Sequence, residues 1–84
     1  MSHVPHELHE EFPEAADVLH TLKSNDAHFA RLADEYHTIN RQVHRIETDV
    51  EPTSDEVLED LKKKRLHLKD QIAALLTAAA SAES

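Results

Sequence analysis

Eighty-four residues with no Gly, no Cys, no Trp and three Pro exclude a turn-rich sheet fold and an ordinary catalytic domain, because hairpin turns and cleft-lining loops lean on glycine. Without Cys there are no disulfides, thiolate metal sites or thiol nucleophiles, which fits a reducing, cytoplasmic setting. The formal charge of -8 argues against general affinity for nucleic acid, no run approaches the roughly 20 apolar residues of a membrane span, and the start lacks the basic-then-apolar pattern of an export signal.

In chain order, residues 1–11 are expected to be a flexible N-terminus. Phe12-Pro13-Glu14 opens a short helix over 12–23, with proline in its first turn and Ala15, Val18, Leu19 and Leu22 on one face. Ser24-Asn25-Asp26 favours capping over helix interior, so a break is expected there. A long helix over 26–50 follows, because Phe29, Leu32, Tyr36, Ile39, Val43, Ile46 and Val50 recur in alternating steps of three and four. It stops at Glu51-Pro52, where the proline ring disfavours helical geometry in the residue before it, giving a turn over 51–53. Thr53-Ser54-Asp55-Glu56 reads as a capping box, with the Thr53 hydroxyl on the Glu56 amide. The second long helix, 54–79, has the seam Leu58, Leu61, Arg65, Leu68, Ile72, Leu75 and Ala79, and residues 80–84 form a flexible end.

The expected fold is all-α: an antiparallel two-helix coiled-coil hairpin with a short N-terminal helical segment. So short a connection folds the long helices back on each other. Counting outward from Pro52 pairs Leu58 with Ile46, Leu61 with Val43, Leu68 with Tyr36, Ile72 with Leu32 and Leu75 with Phe29, and sets Arg65 roughly opposite Ile39. Continued in line, the 12–23 segment runs out of partners, so it either folds across the hairpin or packs on another chain. Leu66, Ala73 and Leu76 widen the apolar surface of the second helix beyond what one partner covers. Val18, Leu19, Leu22, Leu66 and Leu76, with Lys62, Lys63 and Arg65, therefore form the candidate interaction surface. A chain this small hides only about 60% of the surface its unfolded form exposes, so a homo-oligomer is expected, a dimer being the simplest closed arrangement.

Phe12-Pro13-Glu14, Leu22-Lys23, the Phe29, Leu32, Tyr36 spacing, Arg45-Ile46-Glu47 and above all the run from Leu61 to Ile72 (LKKKRLHLKDQI) resemble the YdcH-like family of short bacterial proteins of uncharacterised function. The resemblance covers residues 12–76. It implies a helical hairpin in bacterial cytoplasm and supplies no catalytic residues. The chain departs from the family's usual pattern at Asn40 and Gln42, where acidic residues are common, and at Gln71, where Glu is common.

Eight histidines invite a metal reading, and His3, His6 and His9 recur every third residue, but Pro5 interrupts them and no fixed second shell is evident. Met1-Ser2-His3 has the form of an amino-terminal copper or nickel motif, which removal of Met1 would destroy. His37 and His44 lie two turns apart, too far to share an ion within one chain, and with His20, His28 and His67 they read as solvated side chains. No metal, cofactor or catalytic residue is assigned. The basic block Lys62 to Lys69 is flanked by Glu59, Asp60 and Asp70, faces the acidic first long helix, and lacks aromatics for base stacking, which favours ion pairing over phosphate contact. Arg65 interrupts the seam either by snorkelling toward Glu35 or water or by determining register and partner choice. The expected function is that of a non-enzymatic protein-interaction module, an adaptor or regulator with an unidentified protein partner. The alternative is a nucleic-acid-associated accessory protein using residues 62–69.

Overall fold

The computed structural model describes residues 5–48 and 53–83, and all regular structure among them is helical. A single turn, α1 (Leu8–Glu11), leads through a 3-10 turn (Pro13–Ala15) into α2 (Ala16–Asn25); α3 (Ala27–Glu47) and α4 (Asp55–Glu83) follow. At about 1.5 Å per residue, α4 alone is some 44 Å long, close to the 45 Å longest dimension of the molecule.

The predicted break falls at Asp26, whose backbone is extended (φ -125°, ψ 106°) and whose carboxylate accepts from the Phe29 amide at 3.1 Å, capping α3. Upstream, the Ser24 hydroxyl and the Asn25 amide close the last turn of α2 by donating to the His20 and Thr21 carbonyls. Because the break redirects the chain, α2 lies against both α3 and α4. Leu8 and Leu19 join Phe29, Leu32, Ala33, Tyr36, Leu68, Ile72 and Leu76 in one buried cluster.

Several expectations are corrected by this packing. Residues 5–11 were expected to be a flexible arm; Leu8–Glu11 are helical and Leu8 is buried, while residues 1–4 lie outside the described residues. The long helix expected to reach 50 ends at Glu47, where the Thr48 hydroxyl turns back to the His44 carbonyl; Val50 and the Glu51-Pro52 turn lie outside the described residues. The cap of α4 is Ser54, not Thr53: the Ser54 hydroxyl accepts from the Val57 amide at 3.2 Å, and its carbonyl accepts from Leu58. Instead of ending at 79, α4 continues to Glu83, as its alanine-rich tail favours.

Candidate functional site

Of the proposed seam, Phe29, Leu32, Tyr36, Val43, Leu61, Leu68 and Ile72 are buried, while Ile39, Ile46, Leu58 and Leu75 are half-buried. The inward face of α3 is wider than the stripe read from sequence, since Ala33 and Asn40 are also buried. α4, α2 and the N-terminal segment pack on that face.

Asn40, 1% exposed, is the buried polar residue among those described. Its Nδ2 donates to the Pro5 carbonyl at 2.8 Å, and its Oδ1 accepts from Arg65 Nη1 at 3.0 Å. One side chain thus joins the N-terminal strap (residues 5–11), α3 and α4. Arg65 thus places one guanidinium nitrogen on Asn40, one residue beyond the Ile39 that counting set opposite it, and makes no ion pair with Glu35. Next to Asn40, the buried Tyr36 hydroxyl donates to the His6 carbonyl. His6 has φ 63°, a left-handed conformation that costs a non-glycine residue roughly 1 kcal/mol, and this chain has no glycine to take its place. The Tyr36 and Asn40 bonds hold the strap on either side of that strained position.

Charge adds three further ties. His37 Nδ1 lies 2.7 Å from Glu7 Oε2, an ion pair when the imidazole is protonated, and both atoms are buried with no aligned hydrogen bond. Lys69 Nζ reaches Glu11 at 3.1 Å, and His6 Nδ1 approaches the same carboxylate at 3.3 Å. Partial burial pushes the Glu11 carboxyl up, but Lys69 and then His6 outweigh it, so its pKa lies below the ordinary 4.5. Burial, reinforced by the Glu11 and Glu7 charges and opposed by Arg65, raises the Tyr36 pKa to about 12. The Tyr36 proton is held in the structural bond to His6, which gives it a positioning role without a reacting partner.

The proposed interaction surface divides accordingly. Leu19 and Leu76 are buried within the chain, and Val18 and Leu22 are half-buried against the same core, because α2 folds back rather than continuing in line. Of the two courses open to the 12–23 segment, α2 takes the one across its own chain, which covers these four residues of the candidate surface. Lys62 pairs with Glu47 at 3.2 Å and Arg65 with Asn40, whereas Leu66 is 58% exposed and Lys63 is exposed. The basic block pairs with Glu47 on α3, the opposite helix that was one of the two expected sources of partners, and with Glu11 on the strap.

Clefts open between the helices among the described residues. One of about 170 Å³ is lined by His9, His20, His37 and Lys23; no group of three or more His, Cys, Asp or Glu among the described residues is placed to hold a metal, and His3 lies outside them. A second, about 390 Å³, has Ile39 and Leu68 in its wall and Glu35, Lys63, Lys64, His67 and Gln71 around them. The third, about 500 Å³, lies between residues 11–15 and the far half of α4. No helix among the described residues is long and apolar enough to cross a membrane.

A family model described as "Protein of unknown function (DUF465)" matches residues 29–76. The chain belongs to that family, the YdcH-like proteins. Within this YdcH-like chain the matched stretch runs from Phe29, the first buried residue of α3, to Leu76 in α4 and includes both Asn40 and Arg65. The strap and α2 precede it. No curated protein and no solved structure matches the chain.

Proposed function

We propose that α3 and α4 of this YdcH-like protein form an antiparallel helical hairpin, and that the chain works in the cytoplasm as a non-enzymatic protein-interaction module, an adaptor or small regulator. The antiparallel reading is supported by the ion pair of Lys62, early in α4, with Glu47, the last residue of α3, while Arg65 one turn further on meets Asn40 two turns back. Partners that advance along one helix as they retreat along the other are those of antiparallel neighbours.

The observation that carries the interaction reading is the cleft at Lys64 and His67. Internal pairing uses Lys62 and Lys69, but Lys63 and Lys64 are exposed and have no ion pair among the described residues. They stand beside half-buried Ile39 and opposite Glu35, so the cleft combines an apolar wall with both signs of charge. A helix or loop of another protein can satisfy all three features at once, with an apolar anchor inside and charges at the rim. A phosphate backbone would satisfy only the lysines, and the net charge of -8 opposes its approach. The same two lysines favour nucleic acid as the second reading.

The test is a photoreactive residue placed at His67 in the native cell, with Arg41, exposed on α3, as control position. Protein adducts from position 67 that are absent at 41 support the module. Nucleic-acid adducts from 67 support the alternative, and no specific adduct defeats both.

A further inference from the structure

The outward side of α4 carries a knob and a groove. The knob is Leu66, 58% exposed, with Lys62 and Lys63 one turn before it. Further along the helix, Phe12 lies beside Ala73, Leu76, Thr77 and Ala80, and these residues enclose the open groove of about 500 Å³, with Glu11 and Glu14 at its edge. The small side chains of Ala73 and Ala80 leave the space that Phe12 and Leu76 only partly fill. From residue 66, steps of seven, eleven and fourteen fall within about 40° of the same direction on a helix, so Ala73, Thr77 and Ala80 share the face of Leu66.

We propose that this groove receives Leu66 of a second copy of the chain, in a twofold dimer with α4 antiparallel to α4. Leu66 and Thr77 are about 16 Å apart along the helix, so an axis midway between them, near residues 71 and 72, sets each Leu66 over the other copy's Thr77. The same rotation sets Lys63 over Ala80, which lines the groove together with Glu14, and Asp70 over Ala73. Glu11 is already held by Lys69, whereas Glu14 has no ion pair among the described residues and is placed to receive the incoming Lys63. Knob and basic flank on one half, groove and acidic edge on the other, match only when the face meets itself in reverse. That self-complementarity selects a second copy over an unrelated partner. Lys63 borders both surfaces, but neither Leu66 nor the groove residues line the His67 cleft, so cross-linking at position 67 and the dependence of the dimer on Leu66 can fail independently.

The test is sedimentation of the full chain from low to high micromolar concentration. The wild type is expected to form a dimer. Leu66→Lys should weaken it at least about a hundredfold, because the axis removes the leucine twice. Thr77→Glu should weaken it as well, since each leucine would then meet a carboxylate. Both substitutions are at exposed positions and introduce good helix formers, so helicity should hold. An equal mixture of the two variants should recover association, as one contact remains leucine in groove and the other becomes an ammonium facing a carboxylate. Misfolded variants would not rescue each other. A wild type that stays monomeric, a dimer indifferent to Leu66→Lys, or a mixture no better than its components would overturn the proposal.

Discussion

Asn40→Ala should destabilise the protein by removing one side chain that serves two others. It deletes the bond to the Pro5 carbonyl and the bond from Arg65, each worth about 0.5–1.5 kcal/mol, and leaves partly buried groups on both sides without a partner. The sum is roughly 2–4 kcal/mol, a fall in Tm of about 10–25 °C for a domain of this size. Asn40→Asp separates the two halves of the junction. The carboxylate still accepts from Arg65, now with opposite charge, but it has no hydrogen to donate and turns an oxygen toward the Pro5 carbonyl. Global melting should therefore change less than in Asn40→Ala, while amide exchange should accelerate within residues 5–11. The double-mutant cycle of Asn40→Ala with Arg65→Ala, followed by thermal circular dichroism, should show a coupling energy of about 0.5–3 kcal/mol. Additivity within about 0.3 kcal/mol would refute the claim that this bond ties α3 to α4, and unchanged exchange in Asn40→Asp would refute the hold on the strap.

Three further outcomes follow from the same contacts. Ser54→Ala should cost about 1 kcal/mol through loss of the α4 cap while Thr53→Ala costs less, which chemical denaturation of the two variants will rank; the reverse order would return the cap to Thr53. Leu19→Ala should cost roughly 2–5 kcal/mol in the same assay, because the side chain is 4% exposed in the shared core; a cost under about 1 kcal/mol would mean that α2 does not pack there in solution. Tyr36 is the only tyrosine, so its ionisation can be followed directly by ultraviolet absorbance and should occur near pH 12. Its folded pKa lies above the unfolded value, so its contribution is complete below pH 10 and is lost as pH rises from 10 toward 12, a decline that Tyr36→Phe should lack.

Local patterns in the sequence carried the helical class, the break at Ser24-Asn25-Asp26 and most of the seam, because periodicity and capping act over a few residues. Phe29, Tyr36, Val43, Leu68 and Ile72 are buried in any arrangement that buries those stripes. What α2 and the strap would cover depended on the path after the break, and no local rule distinguishes folding back across the two long helices from packing on another chain. Only the tertiary structure therefore decided that Leu19 and Leu76 belong to the core while Leu66 stays outside. Asn40 was hidden for a related reason. An asparagine beside an apolar stripe reads as a neutral surface residue until the Pro5 carbonyl, 35 positions earlier, and Arg65, 25 positions later, are brought to its two ends. Burial of a polar side chain is favourable only when both its donor and its acceptor are satisfied, and here both partners come from elements that chain order keeps far apart.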